Sequence, residues 1–554
     1  MNWCIADHCR LPQPTGHHSI AIIIKFVVAS VPAIAWLFDS KSGMADRLIP
    51  RWIWLRALGL IYFAAFYSLA FQIKGLIGPN GILPAGPYLQ AVGRTFPSER
   101  FWFAPTVLWI SSGSGMLVGI CVVGIVAALL LVFNIWPRAM LAICFLCYLS
   151  FIGAAQDFSS YQSDGMLLEA GFLSWFLAPA GFRPRWGEYS PPSRASYFLL
   201  QWEWFRIYFE SGIVKLVSGD PQWRNLTAMD EYYQNGPLPT WIGWYMQHLP
   251  HWFHWGAALG TLVMELLLVW MMFFPRPLRM ACFVITSLWQ LPVILSANYT
   301  FLNYLVLALG FLLLDDKLVA PLLKDKFTPA QTAPTTEVET SAVPRFRKHG
   351  HAISVALATV MLTWIFYATT VQMLWIEWPR LPLPTMPVRL LDPFRIANRY
   401  GLFATMTRGR YEIEFQGSND GETWVPYPFR YKPQALNEAP KIYAPYQPRL
   451  DWNLWFASLG TWRDNMFVAS TEERLLNNDH DVLALFAANP FPNAPPKQVR
   501  AVLWQYWFTS IPQKHATGNW WRREYLGTYA PTLEQDAGGK VSVKEWPTLT
   551  EPKQ

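Results

Sequence analysis

The chain has 554 residues, of which 53% are hydrophobic, 16% are aromatic and only 15% are charged. An average protein is about 25% charged. Several apolar runs reach the roughly 20 residues that cross a bilayer as a helix, so the composition predicts a multi-span membrane protein. The net charge of +7 does not indicate a nucleic-acid partner, because the basic residues are spread over short loops instead of one patch.

Residues 1–43 leave three interpretations open, because their apolar run at 19–38 is interrupted by Lys25 and Pro32. The run is a transmembrane segment, or the whole stretch is a leader ahead of a start at Met44, or the run is a cleavable signal peptide. The signal peptide fits least well, since no small-residue cleavage site follows the run.

The transmembrane bundle is predicted to occupy residues 44–323, with a last transmembrane helix at 351–378. About nine spans are expected, or ten if residues 19–38 also cross. The nine segments are 52–74, 107–133, 139–155, 166–179, 196–217, 252–274, 279–296, 299–314 and 352–374. Every second loop carries Arg or Lys, and the positive-inside rule places those loops in the cytoplasm. Everything after residue 375 then lies on the outer face.

Residues 324–350 are rich in Thr, Pro and Ala and are predicted to be a disordered cytoplasmic linker. Residues 379–554 are predicted to form a β-rich α+β domain on the outer, periplasmic or lumenal face. Its signals are a hairpin around Asn419-Asp420-Gly421, strands at 500–508 and 520–529, and short helices at 451–459 and 471–488. No cysteine follows Cys282, so this domain must be stabilised by packing without disulfides.

The fifth predicted span carries four ionisable residues: Glu203, Arg206, Glu210 and Lys215. One ionised side chain at the bilayer centre costs about 2.5–3.5 kcal/mol even on lenient scales. The first three residues share one helix face, since they are three and four positions apart. Lys215 lies about 140° further round than Glu210. The pattern therefore predicts a bundle with a polar interior.

Two interpretations of these charges remain open, and both include Glu169 of the fourth span and Glu265 of the sixth. In the structural one, Arg206 pairs with Glu210, Glu169 or Glu265, and Lys215 extends to the outer interface. In the functional one, the charges surround a buried site for a polar headgroup, a quinone or a substrate. The candidate catalytic residues are then Lys215, Arg206, Glu210 and Glu265.

Three further groups of residues were considered as sites. Loop 156–165 is more polar than a helix cap requires; although Asp164 is expected to cap the next helix, the loop is a candidate vestibule. The vestibule and intramembrane polar candidates are Gln156, Tyr161, Gln162, Asp164, Glu169 and Glu203. His248, His251 and His254 recur every third residue, but no carboxylate or Cys accompanies them as metal ligands usually require. Cys144 and Cys147 lie inside an apolar span and are expected to be packing residues. No cofactor is predicted.

Several long blocks resemble the lipase maturation factor family. They include GLIGPNGILP (75–84), FSSYQSDGMLLEAGF (158–172), WFRIYFESGIVKLVSGDPQW (204–223), LTAMDEYYQNGPLPTW (226–241) and NRYGLFATMTRGRYEIEFQGSNDGETW (398–424). Together with NYTFLN (298–303) and NPFP (489–492), they cover nearly the whole chain from about residue 52. Segment 207–223, with YFESGIVKL and Trp223, also resembles distantly the membrane domain of vitamin K-dependent γ-carboxylases.

The resemblance implies a membrane protein that helps secreted lipases fold and assemble, since vertebrate members do so in the endoplasmic reticulum with a lumenal C-terminal domain. The absence of cysteines after Cys282, and of a retention signal at Glu551-Pro-Lys-Gln554, favours a multi-pass protein of a bacterial inner membrane. The expected partners are membrane lipids and a secreted lipase or another exported protein. The alternative is a membrane enzyme, or a lipid- or quinone-binding protein, on a carboxylase-like bundle.

Overall fold

The computed structural model describes residues 32–159, 161–321, 345–536 and 538–549. The predictions for residues 1–31 and for the linker up to residue 344 lie outside these ranges. Residues 32–38 form a short helix, Pro32–Phe38. The last six residues of the predicted linker, 345–350, belong to a helix, and the part of that helix that is apolar enough to cross a membrane begins at Gly350.

Each of the nine predicted spans overlaps a helix within the described ranges. These helices are α1 (Leu48–Ala70), α2 (Ser114–Val132), α3 (Pro137–Ile152), α4 (Gln162–Leu177), α5 (Arg194–Val217), α6 (His251–Leu266), α7 (Arg276–Ser296), α8 (Leu302–Gly310) and α9 (Arg345–Glu377). A 3₁₀ turn, Leu268–Phe273, extends α6. Helix α1 packs against α2, and α5 contacts α4, α6, α8 and α9, which places α5 at the centre of the bundle.

Five of the described helices are long and apolar enough to cross a membrane: α1, α2, α6 with its 3₁₀ extension, α7 and α9. Helices α3 and α8 are apolar but shorter. Helix α5 has 24 residues, about 36 Å of helix, but carries the buried charges. The chain is thus a helical membrane protein, and the count of nine spans stays a prediction.

Basic side chains gather at one end of the bundle. Arg276 of α7 pairs with Asp315, with 2.6 Å between Nε and Oδ2. The buried Arg51 donates to the carbonyl oxygens of Trp186 and Gly187 at 2.8 and 3.0 Å. Arg138 donates to the carbonyl oxygen of Ala178 at 2.7 Å. Arg51 and Arg138 thus bind carbonyl oxygens and Arg276 binds a carboxylate, all at the end of the bundle away from the C-terminal region.

The C-terminal region is built on a six-stranded sheet. Its strands are β1 (Arg410–Ser418), β2 (Val425–Pro426), β3 (Gln498–Phe508), β4 (Trp521–Thr528), β5 (Thr532–Gln535) and β6 (Val541–Glu545). The order is β2-β1-β3-β5-β6, and β4 also pairs with β3. The antiparallel β1–β2 pair confirms the predicted hairpin. Helices α10 (Arg449–Ala457) and α11 (Phe467–Leu476) complete the region, close to the predicted short helices.

The sheet is joined to the bundle through buried contacts, not through a linker alone. Arg410 of β1, which is fully buried, donates to the carbonyl oxygens of Gln234 and Pro237 at 3.0 and 3.1 Å. Asn298 accepts from the backbone N–H groups of Tyr443 and Ala444 at 2.6 and 3.0 Å. Because buried polar groups lose free energy when they are left unpaired, these contacts fix the C-terminal region on the loops opposite the basic end.

Asp451 in α10 lies outside the membrane helices and is 3% exposed. Burial raises the pKa of its carboxyl group from 3.8 to about 6, although the N–H and ammonium groups of Lys432 and the N–H of Tyr431 oppose the rise. A raised carboxyl pKa means that ionisation costs more in the folded than in the unfolded protein. The stabilising contribution of the neutral form is complete below about pH 4 and is lost as the pH rises through 6.

We therefore expect Asp451→Asn to remove a pH-dependent loss of stability. A pKa change of about two units corresponds to about 3 kcal/mol. From about pH 4 to pH 7.5, the free energy of unfolding of the variant should rise by about that amount relative to wild type. Denaturant titrations of the two detergent-solubilised proteins across this range measure the difference. If the difference in unfolding free energy between the two proteins stays constant with pH, the pKa of Asp451 is not raised in the folded protein.

Candidate functional site

Four ionisable side chains of α4 and α5 form one cluster in the bundle: Glu169, Glu203, Arg206 and Glu210, none of which is exposed to solvent. Arg206 forms an ion pair with Glu169, and its Nη1 lies 3.9 Å from Oε1 of Glu210. This is the pairing expected for Arg206, except that Glu265 takes no part. A buried pair of this kind is stable only when further hydrogen bonds satisfy its remaining atoms.

Those hydrogen bonds come from residues 395–407, here called the insertion loop, which follow α9 and precede β1. Arg206 donates to the carbonyl oxygen of Asn398 at 2.7 Å. Asn398 donates to Glu169 Oε2 from its backbone nitrogen at 2.9 Å and from Nδ2 at 3.0 Å. The Arg206–Glu169 pair is thus covered by the insertion loop, which comes almost two hundred residues later in the chain.

Tyr400 of the insertion loop connects all three carboxyl groups. Its backbone N–H donates to Glu210 Oε2 at 2.6 Å, and its hydroxyl group lies 2.9 Å from Glu169 Oε2 and 3.4 Å from Glu203 Oε1. The Arg206 guanidinium lies 5.1 Å from the centre of the Tyr400 ring, within the range of a cation–π contact. The charged face of α5 is therefore occupied by a segment of the same chain.

The insertion loop continues along the end of α5 and the next outer loop. Leu402 N donates to Ser211 Oγ at 3.2 Å, and Met406 N donates to Asp220 Oδ2 at 2.6 Å. Trp223 Nε1 donates to the carbonyl oxygen of Phe403 at 2.9 Å. The insertion loop is neither helix nor strand, so its backbone N–H and carbonyl groups pair with side chains of the bundle. Buried backbone groups need such partners.

Lys215 does not extend to the membrane interface, which is where the structural interpretation placed it; it is 1% exposed and faces inward, as in the functional interpretation. Its ammonium group lies 3.0 and 2.9 Å from the two carboxylate oxygens of Glu265. It also donates to the carbonyl oxygen of Leu402 at 3.0 Å. An inward-facing acid on α6 therefore holds the lysine inside the bundle, and sequence spacing within α5 alone could not show this partner.

The predicted vestibule residues form a second connection to the C-terminal region. Asp164 does not cap α4, which begins at Gln162 after Tyr161. Its carboxylate instead accepts from Arg449 Nη1 and Nη2 at 2.8 and 3.0 Å and from the Tyr148 hydroxyl at 2.6 Å. Arg449 is 1% exposed. A bidentate bond to a buried arginine of α10 replaces the cap.

The other vestibule candidates lie around this connection. The Tyr161 hydroxyl bonds to Asn453 of α10, and Gln162 accepts from the backbone of Gly401 at 3.1 Å. Gln156, Tyr161 and Gln162 line a polar cavity of about 580 Å³. Their role as a vestibule stays a hypothesis.

The remaining candidates are separated in space. His248 bonds to the carbonyl oxygens of Trp244 and Thr509, whereas His251 pairs with Asp230 at 2.9 Å. His254 is buried beside Tyr233. Over the described residues, no group of three or more potential metal ligands is found. Cys144 is buried in α3, and it and Cys147 are free thiols.

The insertion loop and Arg449 are the parts of this site that the sequence interpretation missed. A signal was available in NRYGLFATM, which lies in one of the blocks that resemble the family, but its polar and apolar residues follow no helix or strand period. Neither Asn398 nor Tyr400 differs in type from an ordinary loop residue. Their role depends on contacts across about 190 to 230 positions of sequence.

Replacing Arg206 with Leu should release the insertion loop, because it leaves buried carboxyl groups without their cation. Breaking a buried ion pair costs about 3–5 kcal/mol, whereas Tyr400→Phe removes only the hydroxyl bonds and should cost about 1–3 kcal/mol. Limited proteolysis within residues 395–407 measures the release. Lys441→Met, which removes an exposed pair with Glu438, should leave the cleavage rate unchanged. Cleavage of the Arg206→Leu protein at the wild-type rate would show that Arg206 does not hold the insertion loop in place.

The Lys215–Glu265 pair can be tested with a double-mutant cycle. Lys215→Met leaves Glu265 buried without a counter-charge and should lower the free energy of unfolding by about 3–5 kcal/mol. Adding Glu265→Met removes the orphaned charge and should recover most of that loss. The thermal midpoint and the abundance of each protein in membranes are the measurements. A double variant as unstable as the single one would show that the pair is not the relevant interaction.

Residues 49–321 match the lipase maturation factor transmembrane domain, and residues 396–531 match the lipase maturation factor C-terminal domain. Lipase maturation factor 1 of Bos taurus is 32% identical over 527 residues, covering 90% of this chain and 91% of that protein. Lipase maturation factor 2 of Gallus gallus is 31% identical over 583 residues, covering 87% and 81%.

Lipase maturation factor 1 of Homo sapiens is 30% identical over 512 residues and covers 88% of each chain. No solved structure matches the chain. The second matched domain begins at residue 396, inside the insertion loop, so the segment that binds Arg206 lies within the shared region. The chain belongs to the lipase maturation factor family.

Proposed function

We propose that this protein is a membrane-anchored folding factor that assists the maturation of secreted lipases or other exported proteins. The relatives are named for lipase maturation, and one structural observation supports the proposal. The C-terminal region is held against the bundle by the insertion loop on Arg206 and by Arg449 on Asp164. A client held on such a region would be kept at a fixed position beside the membrane.

The proposal includes the predicted topology. Nine spans, α1 to α9, with the basic loops in the cytoplasm would place the C-terminal region on the outer face. Arg51, Arg138 and Arg276 lie at the end of the bundle away from this region, which supports the orientation under the positive-inside rule. In a bacterium this face would be the periplasmic face of the inner membrane, where exported proteins fold.

The charged cluster favours the folding factor over the alternative enzyme or quinone-binding protein. Carboxyl groups of Glu169, Glu203 and Glu210 accept hydrogen bonds from Tyr400 or Asn398. A substrate would have to displace the insertion loop to reach them. The cluster is therefore better suited to holding two parts of one chain together than to binding a substrate.

Deleting the gene in the source organism and assaying secreted lipases tests the proposal. We expect less lipase activity per secreted molecule and more aggregated lipase, with activity restored by the wild-type chain but not by Arg206→Leu. Lys441→Met should restore activity fully, because its ion pair is exposed and contributes little. Unchanged activity of every secreted lipase in the deletion strain would refute the proposal.

Site-specific photocrosslinking separates client contact from an indirect effect. A crosslinking residue at Tyr525, which is 47% exposed on β4, should capture newly exported lipase. The matched control is Leu288 of α7, which is 62% exposed but lies on an apolar membrane helix. Equal capture at both positions would contradict client binding by the C-terminal region.

A further inference from the structure

A cavity of about 610 Å³ lies between α5, α6, α7 and α8. Leu402 and Phe403 of the insertion loop form part of its wall, behind the Lys215–Glu265 pair. Its volume is within the range of cavities that hold one small ligand. The wall is mostly apolar and rich in aromatic rings, among them Tyr208, Trp223 and Trp289. Such a lining suits an apolar body, not a polar metabolite.

Two buried amides on the wall have polar atoms without partners. Gln290 is 7% exposed and Asn303 is 6% exposed. Gln290 Nε2 lies 2.6 Å from the Tyr208 hydroxyl. Among the described residues, neither Oε1 of Gln290 nor Nδ2 of Asn303 has a hydrogen-bond partner. A buried polar atom that lacks a partner costs about 1–3 kcal/mol. Both atoms are covered by neighbouring groups, so a rotation of each amide toward the cavity would let a ligand bond to them and recover this cost.

The unpaired atoms define the ligand's polar group. Oε1 of Gln290 is an acceptor and needs a donor, whereas Nδ2 of Asn303 is a donor and needs an acceptor. A hydroxyl group is both. It also remains suitable if the Gln290 amide is rotated by half a turn, since oxygen and nitrogen then exchange positions.

The charges on the wall indicate that this polar group is uncharged. Lys215 and Glu265 are the ionic groups lining the cavity within the described residues, and they lie 2.9 Å apart. Their charges cancel, so no cation is left for a phosphate or carboxylate head. An ionic head would also lose its hydration without gaining a counter-charge.

The cavity reaches the surface of the bundle. Trp252 at the start of α6 belongs to its wall and is 72% exposed. Gly256, one turn further along α6, also lines the cavity, and a Cβ atom added there would meet no other atom within 4 Å. Because α6 and α7 expose apolar side chains such as Leu259 and Leu288, an amphipathic molecule could enter from the bilayer.

We propose that this cavity binds one amphipathic membrane lipid with an uncharged, hydroxyl-bearing head. The head lies between Gln290 and Asn303, and the apolar body lies among the rings of α5, α6 and α7. The site is independent of the proposed maturation function, because its evidence is the cavity and its two unpaired amides.

Binding can be measured with monooleoylglycerol as the probe, using the full-length protein in detergent and thermal unfolding as the readout. We expect a saturable rise in the thermal midpoint. Oleate, which has the same chain and an ionic head, should give no comparable rise. Ubiquinone, which offers carbonyl acceptors but no hydroxyl donor, should bind more weakly than monooleoylglycerol.

Three variants separate this site from nonspecific lipid effects. Asn303→Leu and Gln290→Leu should each weaken binding about 3- to 10-fold, the equivalent of one hydrogen bond. Asn303→Leu should also raise the midpoint of the lipid-free protein, because it removes a buried unpaired donor. Gly256→Phe should fill the open space and abolish the lipid-dependent rise without lowering the lipid-free midpoint.

The proposal is overturned by any of three results: no saturable rise with monooleoylglycerol, an equal rise with oleate, or unchanged binding by both Asn303→Leu and Gly256→Phe. If Gln290→Leu does not fold, Asn303→Leu and Gly256→Phe decide the question, because neither substitution removes a side-chain hydrogen bond to any described residue. Tyr67→Phe, an exposed position on α1, is the control variant and should bind as wild type does.

Discussion

The Arg206–Glu169 ion pair is the interaction on which the arrangement of this protein depends. Both side chains are fully buried, so the cost of removing them from water must be offset by well-placed hydrogen bonds. The insertion loop supplies these through Asn398 and Tyr400. A charge in the centre of the membrane bundle is thereby satisfied by residues that follow the last transmembrane helix, and the two matched domains become one folded unit.

The same principle recurs nearby on α4, five residues before Glu169. Arg449 of α10 binds Asp164 through two nitrogen atoms, and bidentate arginine–carboxylate bonds fix orientation as well as distance. In each connection the membrane helices provide the acid. At Asp164 the C-terminal region supplies the cation, whereas at Arg206 it supplies neutral donors and a carbonyl acceptor. Together the two connections hold the insertion loop and α10 on helices α4 and α5.

The sequence was sufficient for features that depend on local pattern. Apolar segments located α1 to α9, and the Asn419-Asp420-Gly421 turn located the β1–β2 hairpin. The spacing of Glu203, Arg206 and Glu210 placed them on one face of α5. The sequence was insufficient where the partner of a charged residue lies far away along the chain. The position of Lys215, at the interface or in a buried site, stayed open because spacing within α5 does not show its partner Glu265, 50 positions later. Asp164 was expected to be a cap because Arg449, 285 positions later, was not visible as a partner.

The position of the insertion loop in the chain has a consequence for how the protein is made. Glu169, Glu203, Arg206 and Glu210 are synthesised almost two hundred residues or more before Asn398 and Tyr400. Until α9 has entered the membrane and the following segment has emerged, the three carboxyl groups and Arg206 lack the insertion-loop partners that they bind in the finished protein. The nascent bundle must therefore hold its polar centre open, to water or to other helices, during most of translation. A factor that assists the assembly of other exported chains would thus itself complete its core only at a late step of biogenesis.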